Sequence, residues 1–138
     1  MRIGDQEASI ELEVAQAHPA LPPHYGGGDV LLRARVLAGE FRGAAEAWVD
    51  ADAWEPFLQA LEQVGRRGVG EAVVEGISPG ELRMRVFAAA GAGRPAVEGY
   101  VGVRTFDREL LLRFGPIPFE SAALDHLLAE LRPSTPPA

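Results

Sequence analysis

The chain has 138 residues, 47% hydrophobic and 24% charged with a net charge of −7, the balance of one folded domain with a real core and not of a disordered segment. No apolar run reaches the roughly 18–20 residues of a bilayer-spanning helix, and the acidic start MRIGDQEASIELEV lacks the basic and apolar regions of a signal peptide, so the expected compartment is the cytoplasm. The absence of cysteine removes disulfides, thiolate nucleophiles and cysteine-ligated zinc, while the negative charge disfavours non-specific binding to nucleic acid or anionic membrane.

Residues 8–17, ASIELEVAQA, alternate: Ile10, Leu12 and Val14 point one way, Glu11 and Glu13 the other, as in a half-buried strand. Residues 18–29, HPALPPHYGGGD, hold three prolines and three consecutive glycines and read as a long exposed, mobile loop carrying His18, His24 and Tyr25. A second strand spans Val30 to Ala38, with Leu32, Ala34 and Val36 inward and Arg33 and Arg35 outward. Gly39-Glu40 turns the chain into a third strand, Phe41 to Val49, where Phe41, Gly43, Ala45, Ala47 and Val49 share one face. Arg42, Ala44, Glu46 and Trp48 share the other, and the small inner residues predict close approach of a helix.

That helix follows at once. Trp54, Phe57, Leu58, Leu61 and Val64 form one apolar stripe. Asp52 and Glu55 have the spacing of a capping box, Pro56 belongs in a first turn, and Gly65 or Gly68 ends the helix after favourably placed arginines. Strands are then expected over Glu71–Gly76, Glu81–Ala89, Ala96–Arg104 and Arg108–Phe114, with Gly115-Pro116-Ile117-Pro118 ending the last. Ser121 is the expected cap of a closing helix with Leu124, Leu127, Leu128 and Leu131 on one stripe, and Pro133 stops it. The fold class is α+β: an antiparallel sheet of about seven strands, ordered β-β-β-α-β-β-β-β-α, with both helices on one face. Residues 1–132 form the domain and 133–138 a flexible tail.

No constellation carries catalysis. Asp50, Asp52 and Glu55 could serve as acid and base or bind Mg²⁺, yet helix capping and dipole stabilisation account for all three. His18, His24 and Asp29 sit on a segment too loose to hold a metal, and the nucleophile-elbow pattern is absent. No cofactor or metal site is therefore expected, and the chain reads as a non-enzyme. The outward strand positions are more informative. Arg33, Arg35, Glu46, Arg83, Arg85 and Arg104 are of a kind that commonly forms a solvated face held in register by cross-strand ion pairs. Trp48, Phe87 and Tyr100 share their parity, and aromatic residues mixed with arginine are enriched at protein interfaces. These nine residues form the expected interaction face. Its partner is expected to be a protein; a homodimer, or a small-ligand or enzymatic pocket between sheet and helices, is the alternative.

All 13 basic residues are arginine, and the surplus of Ala, Gly, Arg and Pro has the look of a G+C-rich bacterial genome. The succession SIELEV, DVLLRARV, AWVDADAWEPFLQALEQV, GELRMRVF, VEGYVGV and LLLRFGPIPFESAALDHLLAELR resembles the WapI-type bacterial immunity protein family and related uncharacterised domains. The likeness covers most of the chain as a pattern of elements. It departs at Tyr25-Gly26-Gly27-Gly28-Asp29, where relatives carry an aromatic segment with Trp. The resemblance implies a cytoplasmic protein that binds and neutralises a cognate toxin, and an acidic chain suits a basic toxin domain.

Overall fold

The computed structural model describes residues 2–18, 28–88 and 94–132. Strands β1 (Arg2–Gly4), β2 (Ala8–Ala17), β3 (Val30–Ala38) and β4 (Phe41–Val49) lead into helix α1 (Ala51–Arg67). Strands β5 (Gly70–Glu75), β6 (Leu82–Ala88), β7 (Ala96–Arg104) and β8 (Glu109–Pro118) lead into α2 (Ala122–Leu131). The α+β class and both helices stand as expected. The single sheet of about seven strands does not: among the described residues eight strands make two four-stranded antiparallel sheets, β1-β2-β3-β4 and β5-β6-β7-β8. The element order is thus ββββα twice over.

The additional strand, β1, is three residues long, too short for the alternation around its one buried residue to be read from sequence. It pairs Ile3 with Ile10, and Ile3 is buried. The chain turns back through Asp5, whose carboxylate accepts the Glu7 and Ala8 N–H groups at 2.8 and 2.9 Å. Both bonds, that from Ala8 foremost, hold the Asp5 carboxyl below its ordinary pKa. Strand β8 is longer than expected. The chain does not stop at Gly115-Pro116 but shifts register against β7 there, with Gly115 at φ 95°, and continues so that Ile117 is buried. A Cβ at Gly115 would meet the Val97 carbonyl oxygen at 2.5 Å, so a glycine bulge serves where a terminator was expected.

Helix α1 buries the expected stripe, Trp54, Phe57, Leu58, Leu61 and Val64. Its cap is Asp50, not Asp52: the Asp50 side chain accepts the Asp52 N–H. Asp29, at the end of the β2–β3 connection, accepts the Ala51 N–H at 2.9 Å. Two carboxylates thus satisfy two of the orphan donors at the helix start. Pro56 falls in the second turn, on the exposed side. Gly68, in the left-handed conformation, ends the helix by donating to the Val64 carbonyl, so Gly65 lies inside it. Ser121 makes no side-chain cap to α2, contrary to expectation, while Leu124, Leu127 and Leu131 are buried as expected.

The helices do not cover one face of one sheet. Helix α1 lies on β5, β6 and α2, while α2 reaches β2, so the pair completes a core that the inner faces of both sheets line. The sheets meet through β4. Across the second sheet, Gly76, Leu82, Val101 and Leu112 lie in one row. A Cβ on Gly76 would stand 2.7 Å from the Ala47 Cβ, and one on Gly43 would stand 2.6 Å from Leu112 Cδ2 and 3.0 Å from Val101 Cγ2. From residue 43 to 47 a strand advances about 13 Å, close to the roughly 14 Å that separates the outer two of four strands. Strand β4 therefore crosses the second sheet near a right angle, an orthogonal packing. The small inner residues of β4 admit another sheet, not a helix. The Ile77 N–H donates to the Trp48 carbonyl at 2.8 Å and pins one end of the crossing.

This seam has a specific test. Gly76→Ala is expected to cost about 1–3 kcal/mol in denaturant unfolding, because neither Ala47 nor the Gly76 backbone has a flexible end to move aside. Adding Ala47→Gly should recover most of that loss, a coupling that a double-mutant cycle reads directly. The Asp5 turn has a pH signature. Its lowered pKa contributes stability above the ordinary aspartate range, and that stability is lost as pH falls through the lowered value. A carboxyl titration by NMR should place the Asp5 midpoint below that of a free aspartate. Acid should loosen Ile3 against Ile10, and Asp5→Asn should remove that pH dependence.

Candidate protein-interaction surface

The nine residues expected on one face divide between two. Arg33, Arg35, Glu46 and Trp48 lie on the first sheet; Arg83, Arg85, Phe87, Tyr100 and Arg104 lie on the second. Each set has the outward parity read from the alternation, since Leu32, Ala34, Ala47, Leu82, Met84, Val86 and Val101 face the core. Because both inner faces line one core, the outer faces look away from it separately. Alternation assigns a residue to a face of its own strand but carries no information on which sheet that strand joins.

On the second sheet, Arg85 occupies the centre. Its guanidinium donates to Glu71 on β5 at 2.5 Å and to Glu98 on β7 at 2.8 Å, and lies 4.2 Å from the Phe87 ring centroid. The two charge-assisted bonds, first that to Glu71 and then that to Glu98, raise the Arg85 pKa further. Arg83 stands directly opposite Glu75 and Tyr100, whose hydroxyl is 3.4 Å from the Glu75 carboxylate. Val73, partly exposed beside Arg85, adds apolar area. Arg104 continues the face opposite Glu109, at the far end of β7. Strands β5, β6 and β7 thus present a fixed arginine over the Phe87 ring, with Tyr100 opposite Arg83 on the neighbouring strand and carboxylates around them.

The first sheet repeats the clamp. Arg33 on β3 bridges Glu13 on β2 and Glu46 on β4, the Glu46 bond being 2.7 Å. The bond to Glu46, ahead of the Glu13 contribution, raises its pKa. Arg35 lies one step along, between Glu11 and Ala44, beside a shallow depression of about 200 Å³ that Arg2, Glu11, Glu13 and Arg33 also line. Trp48 is half-buried: its ring lies 4.5 Å from that of His18, at the base of the β2–β3 connection. The His18 N–H donates to the Asp29 carbonyl, which closes that base. His18 is the part of the expected mobile loop that is placed; His24 and Tyr25 lie outside the described residues, as does the expected tail. The partner that the sequence reading missed is Glu71, which lies with Glu98 on the same outer face as Arg85, on the strands to either side of it, and completes its clamp.

No protein-family model matches the chain, and neither a curated protein nor a solved structure shows significant similarity to it. Among the described residues, no helix is long and apolar enough to cross a membrane.

Exposed ion pairs contribute little to stability, and both clamps face solvent. Arg33→Ala and Arg85→Ala are each expected to lower unfolding free energy by less than about 1 kcal/mol, measured by urea titration. A much larger loss would mean that the arginines hold the sheets together and do not serve as surface groups.

Proposed function

We propose that this chain is a non-catalytic protein-binding module that uses the outer face of its second sheet to hold a basic protein domain. The observation that supports this reading most is the fixed Arg85, held by Glu71 and Glu98 against Phe87 with Tyr100 on the neighbouring strand. Arginine and tyrosine are the side chains that most often dominate binding energy. An arginine already held in place loses less conformational entropy on binding than a free one. The carboxylates of Glu71, Glu75 and Glu98 around it, with a net charge of −7, suit a cationic partner and would speed its encounter. The resemblance to WapI-type immunity proteins gives that partner a class, a bacterial toxin domain neutralised in the cytoplasm.

The expected outcome is that a neighbouring gene encodes a toxin domain and that this chain binds it in calorimetry; a neighbourhood without one would sink the toxin reading. Joint replacement Arg85→Ala and Phe87→Ala is expected to raise Kd at least about tenfold, while Arg33→Ala with Trp48→Ala leaves it within about twofold. Equal affinity for the first variant and the parent chain would sink the proposed face, and a loss confined to the second would move the site to the first sheet.

A further inference from the structure

We infer that the open edge of β8 is a self-complementary contact by which two copies of this chain pair, β8 against β8, about a two-fold axis at Leu111. The inference concerns a different part of the surface from the binding face proposed above and does not rest on it.

The backbone sets the possibility. Strand β8 is the edge of the second sheet, where β7 is its one partner among the described residues. Gly102, which lies opposite Leu111, donates its N–H to the Glu81 carbonyl, away from β8. Thr105 donates to the Arg108 carbonyl, three positions toward the hairpin end. Both observations fix the same alternation: Leu110 and Leu112 direct their backbone groups to β7, while Glu109, Leu111 and Arg113 direct theirs to the open edge. An edge of this kind is a template for another strand. It is bounded on the far side by the Gly115 bulge, Pro116 and Pro118.

The side chains decide which strand. In an antiparallel pair centred on Leu111, Leu111 meets its own copy and Glu109 meets Arg113 of the other chain, twice by symmetry. Each such pair would exchange two backbone hydrogen bonds, and the two opposite charges would face each other on the outer face. Both side chains are exposed. On the inner face Leu110, 76% exposed, would meet Leu112 of the second copy. Phe41, 71% exposed, supplies a second and independent indication. It shares the face of Gly43 and lies two residues further along the β4 crossing, about 7 Å beyond the Gly43–Leu112 contact, which is past the edge of β8. That is where Leu110 of a second copy would come. Of seven exposed large hydrophobic residues among those described, four, Phe41, Val103, Phe106 and Leu110, belong to β4, β7, β8 or the β7–β8 turn.

Sedimentation velocity over a wide concentration range should find a dimer of the parent chain. Leu111→Pro removes an N–H that the monomer's own ladder leaves unused, so it should keep the folded circular-dichroism spectrum yet abolish dimerisation. Glu109→Arg and Arg113→Glu should each weaken the dimer roughly ten- to a hundredfold, because each sets like charges opposite one another twice. An equimolar mixture of the two variant chains should restore pairing as a heterodimer, since opposite charges then face at both positions. This mixing test stands even where Leu111→Pro disturbs folding. A parent chain that stays monomeric at the highest concentration, or a dimer indifferent to both charge reversals, would overturn the inference. Binding to a toxin domain is read separately and is not altered by either outcome.

Discussion

The structure depends on one close approach. Strand β4 can lie across the second sheet only because Gly43, Ala45 and Ala47 present almost no side chain to it, and because Gly76 presents none in return. Ordinary face-to-face sheets stand about 10 Å apart with interdigitated side chains; here backbone and methyl groups meet directly at one seam. The void that two crossed sheets leave on either side of such a seam has to be filled, and the leucine, phenylalanine and tryptophan side chains of α1 and α2 fill it. The seam also fixes where the outer faces point, and with them every residue considered for binding.

The parts of the fold that were legible in the sequence are those that repeat a period. The helix stripe Trp54–Val64 and the alternation of β3 and β6 were readable because burial there depends only on the element's own geometry. Three features were not. Strand β1 is too short to establish a period. The bulge at Gly115 has the composition of a terminator, and only the buried Ile117 beyond it reveals that pairing resumes. The division into two sheets leaves no mark on any single strand, because an inward residue looks the same whichever sheet it belongs to. The small residues of β4 did signal a close neighbour, but small size does not say whether that neighbour is a helix or a sheet.

For the candidate surface the lesson is similar. Parity placed all nine side chains on outer faces, yet their division into two sets required the topology. Trp48 was singled out as an exposed aromatic and lies half-covered by His18, while Arg85 turned out better ordered than composition could suggest, through two glutamates on neighbouring strands. The same device, an inner-strand arginine gripped by glutamates from both sides, recurs at Arg33. Each clamp joins three strands by side chains alone and neutralises a cation that would otherwise sit beside others on the same face.

The pairing pattern bears on how such a chain reaches its fold. Every strand in both sheets pairs with its neighbour in sequence, so each hairpin closes over a connection of 12 residues at most and at small entropic cost. Contacts between residues far apart in the chain are concentrated at the β4 crossing, between the helices, and where α2 meets β2. Topologies dominated by local pairing fold fast for their size, and those dominated by distant pairing fold slowly. This chain combines two local meanders with one distant seam. The step that joins them, and not the formation of either sheet, is where the slow part of folding belongs.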